Sequence, residues 1–327
     1  MALTTRLTEA FALRYPIISA PMAFAAGGKL AAAVSSAGAL GLIGGGYGQE
    51  DWLRDELAST GDVPVGCGFI TWSLKKQPHL LDLLLASAPR AICLSFGDPA
   101  PFAARIKERG VPLICQVQTR RDGERAIDCG ADVIVAQGSE AGGHGELRAT
   151  MTLVPEMADL IAAKAPATLL CAAGGIADGR GLAAALMLGA DGALVGTRLW
   201  ASSEANVSLR MHAAALAATG DETIRSQVMD LARKLDWPQR YTARVLRNAF
   251  IGRWHGREAA LAEVADDEAA KYRQAWAEGD PDASNTFVGE AVGLIQDIEP
   301  VATILQRMAV DAEARLTSGA RCVSPAT

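Results

Sequence analysis

The sequence predicts a closed (β/α)8 TIM barrel followed by an additional, mostly helical subdomain, and three observations carry that expectation. Eight short apolar runs rich in Val, Ile, Leu and Cys recur before residue 200, at 15–20, 40–44, 63–69, 91–95, 111–117, 132–136, 168–172 and 192–195. Helix-like segments separate them, which is the pattern of parallel strands covered on both faces. Eight alternations of this kind fit a closed barrel better than an open sheet. After residue 204 the charges become denser and no further strong strand is evident.

The connecting segments have helical periodicity and punctuation. Residues 101–109 begin with Pro101, place Phe102 and Ile106 on one face, and stop at Gly110. Residues 154–165 align Met157, Leu160 and Ile161 in the same way. Arg109-Gly110-Val111, Gly130-Ala131-Asp132 and Gly189-Ala190-Asp191 each put a glycine where a helix can be capped before the chain re-enters the barrel. Residues 206–219 and 221–234 predict helices, 279–284 a loop, and 288–314 an amphipathic helix returning to the barrel. The expected division is a barrel of residues 1–204 and 296–327 with a helical, substrate-side subdomain at 205–295.

Composition narrows the function classes. A net charge of −6 with interspersed signs offers no basic stripe for a nucleic acid backbone, so nucleic acid is not an expected partner. The start, Met1-Ala2-Leu3-Thr4-Thr5-Arg6, lacks the pattern of a secretion signal, and a cytoplasmic location is expected. The most apolar stretches, 30–46 and 181–196, are interrupted and fall short of the roughly 20 residues of a membrane span, so no membrane association is expected. Six cysteines, Cys67, Cys93, Cys115, Cys129, Cys171 and Cys322, are scattered singly, with no metal-site or redox spacing; four fall in predicted strands and read as small hydrophobes. The oligomeric state is left open, a homodimer included.

Barrel enzymes place their chemistry at the carboxyl ends of the strands, with phosphate commonly held after the seventh and eighth. Those two loops are the glycine-rich ones here: Ala172-Ala173-Gly174-Gly175-Ile176 and Val195-Gly196-Thr197-Arg198. A phosphorylated ligand is therefore expected there, because glycine admits close approach of backbone N–H groups. Asp178 and Arg180 are expected only to cap and pair at the start of the next helix.

The sixth strand runs into Gln137-Gly138-Ser139-Glu140-Ala141-Gly142-Gly143-His144-Gly145, a loop that lets a flat ligand approach the backbone and projects His144 over the barrel mouth. Histidine can exchange a proton near neutral pH or donate a hydrogen bond to developing negative charge. Glu140 is an alternative working carboxylate, though within this glycine loop it reads as a capping or pairing residue, and His79, His212 and His255 read as ordinary polar residues away from strand ends. Ala20-Pro21-Met22-Ala23 ends the first strand, where the Met22 thioether can pack on an aromatic ring system. Gln116 and Gln137, ending strands five and six, can bond the heteroatoms of a cofactor. Phe24, Trp72 and Trp200 are left between core and pocket.

Taken together, Ala20-Pro21-Met22, the run 136–144, Ala173-Gly174-Gly175-Ile176-Ala177-Asp178-Gly179-Arg180-Gly181 and Gly196-Thr197-Arg198 resemble the nitronate monooxygenase family, formerly called 2-nitropropane dioxygenases. The similarity extends to Arg244-Val245-Leu246-Arg247-Asn248 and Gly279-Asp280-Pro281-Asp282. The resemblance implies FMN as cofactor, its phosphate at Gly174, Gly175, Gly196 and Thr197 and its ring near Ala20, Pro21, Met22, Gly68, Gln116, Gln137, Gly142 and Gly143. It makes His144 the residue that abstracts the α-proton of a neutral nitroalkane or positions the nitronate, dioxygen being the co-substrate and a carbonyl compound and nitrite the products. Gly68 and Gln116 depart from relatives that carry Asn and Lys there, and a neutral Gln116 shifts the flavin's redox behaviour. The same barrel serves NAD(P)H-dependent quinone and enoyl-acyl-carrier-protein reductases, so a flavin reductase is the alternative. A flavin-free barrel acting on a sugar phosphate is a third reading.

Overall fold

The computed structural model describes residues 3–319; Cys322 and the rest of the predicted barrel segment beyond 319 lie outside the described residues. In chain order the strands are β1 (Ile17–Ser19), β2 (Leu42–Gly44), β3 (Gly66–Ile70), β4 (Ile92–Ser95), β5 (Leu113–Val117), β6 (Val133–Gln137), β7 (Gly143–Gly145), β8 (Leu169–Ala173), β9 (Gly192–Val195), β10 (Thr223–Ser226) and β11 (Thr242–Leu246). Eight of them form one parallel sheet in the order β1-β9-β8-β6-β5-β4-β3-β2, the barrel read from the sequence. Its seam lies between β1 and β2, where Ile18 bridges Leu40 and the Leu42 amide donates to Ser19 Oγ at 2.9 Å.

Alternation along the strands divides the core in two. Ile18, Leu42, Cys93, Ile114, Val133, Val135, Cys171 and Leu194 pack inside the barrel, and Leu7 from the helix Arg6–Phe11 joins them at its amino end. Their neighbours Ile17, Ile43, Ile92, Ile134, Leu170 and Val195 face outward against the helices. The strand cysteines are buried hydrophobes as expected; burial pushes the Cys93 thiol up to about 12, out of reach of thiolate chemistry. Gly110, Gly130 and Gly189 all take positive φ, so the repeated punctuation does end helices in left-handed caps.

The last helix, Val301–Ser318, buries Val301, Ile304, Leu305, Met308 and Ala312 in the outer barrel core and packs along the helix Gly179–Met187. It is shorter at its start than the expected 288–314, because Pro300 cannot continue a helix from the preceding turn; Glu290–Leu294 is a 3-10 turn instead.

Two expectations after residue 204 are corrected: that no further strong strand follows, since β10 and β11 lie there, and that 221–234 form a helix. Residues 221–234 are not one helix: β10 comes first and only Val228–Ala232 is helical. β10 and β11 pair antiparallel, and β11 pairs in turn with β7, setting Ala243 opposite His144. A ladder formed with residues distant in sequence overrides the local helical tendency. Val228, Met229, Val245, Phe250, Ile251, Leu261 and Tyr272 make a small core behind this sheet.

Candidate active site

A cavity of about 590 Å³ opens at the carboxyl ends of the barrel strands. It falls within the roughly 300–1,000 Å³ of small-molecule and cofactor sites. Every residue nominated from the sequence lines it: Ala20, Pro21 and Met22 after β1, Gly68 in β3, Gln116 in β5, Gln137 in β6, Gly142, Gly143 and His144, Gly174 and Gly175 after β8, and Gly196 and Thr197 after β9.

The barrel side of this cavity is built from small residues. A Cβ at Gly68 would lie 2.3 Å from Pro21 Cγ, so glycine there lets the β1 end fold across β3. Gly174 and Gly175 have φ of +104° and +75°, a double left-handed turn that only glycine adopts freely, and the side chain of Thr150 reaches the Gly174 carbonyl at 3.1 Å. Glu140 lines the cavity as well, and its carboxylate accepts from Thr150 N and Oγ1 at the start of the helix Thr150–Lys164. Asp178 caps the helix Gly179–Met187 and pairs with Arg180.

The glycine segment of His144 is not a loose loop. Its strand β7 is fastened to β11, the Ser139 carbonyl accepts from Arg225 and Arg244, and Gln137 Nε2 donates to the His144 carbonyl at 3.0 Å. Gln137 in turn accepts from buried Gln118 at 2.7 Å. The side chain of Gln137 thus supports the His144 backbone as well as lining the cavity.

His144 is 7% exposed, and its imidazole lies flat on the Trp237 ring, centroids 3.4 Å apart at 7°. Nε2 hydrogen-bonds Asp230 Oδ2 at 2.8 Å. Burial holds the imidazole below the ordinary histidine range, a fall the Asp230 carboxylate partly offsets. The ring is therefore neutral at neutral pH and able to take a proton. The remaining histidines serve elsewhere: His79 pairs with Glu50, His212 meets the Trp200 carbonyl, and His255 meets Ser226.

Sequence reading missed the opposite wall. Tyr47, Phe96, Trp237, Trp276 and Phe287 line the cavity with Arg233, whose guanidinium lies over the Tyr47, Trp276 and Phe287 rings. Phe24 and Trp200, left open before, also line it, whereas Trp72 abuts Trp237 from a neighbouring cavity. Phe24 and Phe96 both hold φ of +65°, backbone strain gathered at this site. Asn285 lines the cavity fully buried with neither amide atom hydrogen-bonded among the described residues, a state that calls for a ligand or water. None of these residues sits in a motif; the aromatic and charged content of 233–241 and 272–287 was the one available signal.

A closed parallel barrel with a cavity at the carboxyl ends of its strands, lined by glycine loops and a buried histidine, places the chain among the TIM-barrel enzymes. Within that class the chain belongs to the nitronate monooxygenase family, whose family model matches residues 4–66 and 73–311. It is 34% identical to a nitronate monooxygenase of Metarhizium robertsii over 92% of each chain. It is 32% identical to one from Neurospora crassa, over 92% of this chain and 89% of the relative. The structure of FabK from Thermotoga maritima superposes with a TM-score of 0.86 at 29% identity, covering 98% of this chain and 100% of that one. Among the described residues no helix is long and apolar enough to cross a membrane.

Proposed function

We propose that this enzyme is an FMN-dependent nitronate monooxygenase, oxidising alkyl nitronates, and nitroalkanes after deprotonation, with dioxygen to a carbonyl compound and nitrite. The observation that carries the reading is the convergence of all the glycine-loop residues and His144 on one cavity. The walls suit FMN: Gly174, Gly175, Gly196 and Thr197 would hold the phosphate. Ala20, Pro21 and Met22, with Gly68, Gln116, Gln137, Gly142 and Gly143, would border the ring. The double left-handed turn at Gly174 and Gly175 is a cradle that a Cβ would fill, since one at Gly174 would meet Thr150 Oγ1 at 2.8 Å. When bound, FMN supplies the electron acceptor for the nitronate and the partner for dioxygen.

The protein's own contribution is orientation and proton handling. Neutral His144 accepts the α-proton of a nitroalkane, the imidazolium so formed neutralising the new nitronate, or positions a nitronate already formed. The aromatic wall excludes water from the substrate's face, which strengthens both interactions.

An anaerobic absorption titration of the purified enzyme tests the proposal, with propionate 3-nitronate added to one sample and NADH to another. Bleaching of a yellow protein by the nitronate alone is the expected result. Bleaching by NADH alone would move the assignment to a reductase, and a protein without a flavin band would overturn both.

A further inference from the structure

We infer that Asp230 is a positioning residue that fixes His144 as its Nε2–H tautomer, leaving Nδ1 as the nitrogen that meets the substrate. The inference rests on the nitroalkane reading above and goes beyond it by naming the working atom and its support. A carboxylate only accepts, so the proton in the 2.8 Å contact between Nε2 and Asp230 Oδ2 belongs to the imidazole. Among the described residues nothing hydrogen-bonds Nδ1, and His144 lines the cavity.

Contacts on several sides hold the ring in the orientation that points Nε2 at Asp230. Trp237 covers one face, Phe96 abuts it at 69°, and Gln137 holds the backbone. Asp230 is 5% exposed in the first turn of the helix Val228–Ala232; its other oxygen has Arg233 4.0 Å away and no hydrogen-bond partner among the described residues, so His144 is the one group its carboxylate hydrogen-bonds there. Sequence reading had no access to the pair, because its members stand 86 residues apart.

The proton step balances without a further reagent. The substrate's α-C–H bond breaks, its electron pair moves into the nitro group to make the nitronate, and the proton forms an N–H bond at Nδ1. The resulting imidazolium keeps its Nε2–H on Asp230, whose charge stabilises it. The charged groups facing the ring are Asp230 and Arg233, from the helix and its end, and Arg225 from β10.

An isotope-labelled nitrogen NMR spectrum of the flavin-loaded enzyme at neutral pH reads the tautomer directly, with His144→Asn assigning the signal among the four histidines. A protonated Nε2 with a bare Nδ1 is expected; a bare Nε2 overturns the inference whatever the activity. Kinetics supply the second arm. Asp230→Asn should lower kcat on a neutral nitroalkane by on the order of 10²–10⁴ with little change in KM. It should also move the acid limb of the profile to lower pH, because burial then acts unopposed. On a preformed nitronate the loss should stay under about tenfold, and Asp230→Glu should recover part of the nitroalkane rate. Equal losses on both substrates with an unmoved acid limb would reduce Asp230 to a structural residue. If the variant does not fold, the wild-type spectrum alone decides. Failure of the function reading is separate, since it would show as a wild-type enzyme that turns over neither substrate while the tautomer stays readable.

Discussion

The two walls of the cavity are made of different material. The barrel wall presents backbone and small side chains at Ala20, Gly68, Gly174, Gly175 and Gly196, whereas the facing wall presents Tyr47, Arg233, Trp237, Trp276, Asn285 and Phe287. A backbone wall recognises what every member of a cofactor class shares; a side-chain wall can be retuned one residue at a time. The barrel wall should therefore govern whether flavin binds, and the other wall what is done to the substrate.

The largest effect expected from breaking this division is His144→Asn, on the one residue that belongs to both walls. Turnover of a neutral nitroalkane should fall by on the order of 10²–10⁴ while the protein stays yellow; unchanged turnover would remove His144 from the chemistry. Gly68→Val attacks the barrel wall alone. Its Cβ has Pro21 Cγ 2.3 Å away, and overpacking of about 1–3 kcal/mol should weaken flavin retention roughly tenfold or more, measured by release on dilution. Retention equal to wild type would show that Pro21 does not border the ring.

Trp237→Leu attacks the aromatic wall. Burial lowers the His144 pKa, so uncovering the ring lets it rise, and activity should be lost at a higher pH on acidification than in wild type. This is opposite to the shift expected for Asp230→Asn, and two shifts of one sign would mean that burial and charge have been wrongly apportioned. The smallest effect is expected from Asn285→Leu. Since neither amide atom is hydrogen-bonded among the described residues, thermal stability should hold or improve, while KM should rise by a few-fold to about tenfold. A destabilised variant with unchanged KM would place Asn285 in the fold rather than the site.

The same contrast explains what was legible in the sequence. The strands and glycine loops of the barrel announce themselves through local pattern: apolar runs of fixed length, left-handed caps at Gly110, Gly130 and Gly189, and paired glycines after β8. The cofactor-side nominations are local in this sense, which is why they converge. The roles of Asp230 and Trp237 come only from tertiary contact with His144, and no spacing encodes them. β10 went unread for a related reason. Thr223–Ser226 is a short segment in a helix-compatible stretch, and it becomes a strand because β11 lies beside it.

The antiparallel pairing of β7 with β11 has a consequence for motion. Because Gly143–Gly145 follows the barrel's β6 after the short turn 138–142 and is hydrogen-bonded into the outer sheet, any movement of that sheet against the barrel would carry His144 with it. Opening by a hinge would displace His144 from the barrel wall each time a substrate entered. Exchange of small molecules is better served by rotation of individual rings at the rim, fast side-chain motion on a fixed frame, so turnover should not wait on a slow closure of the two parts.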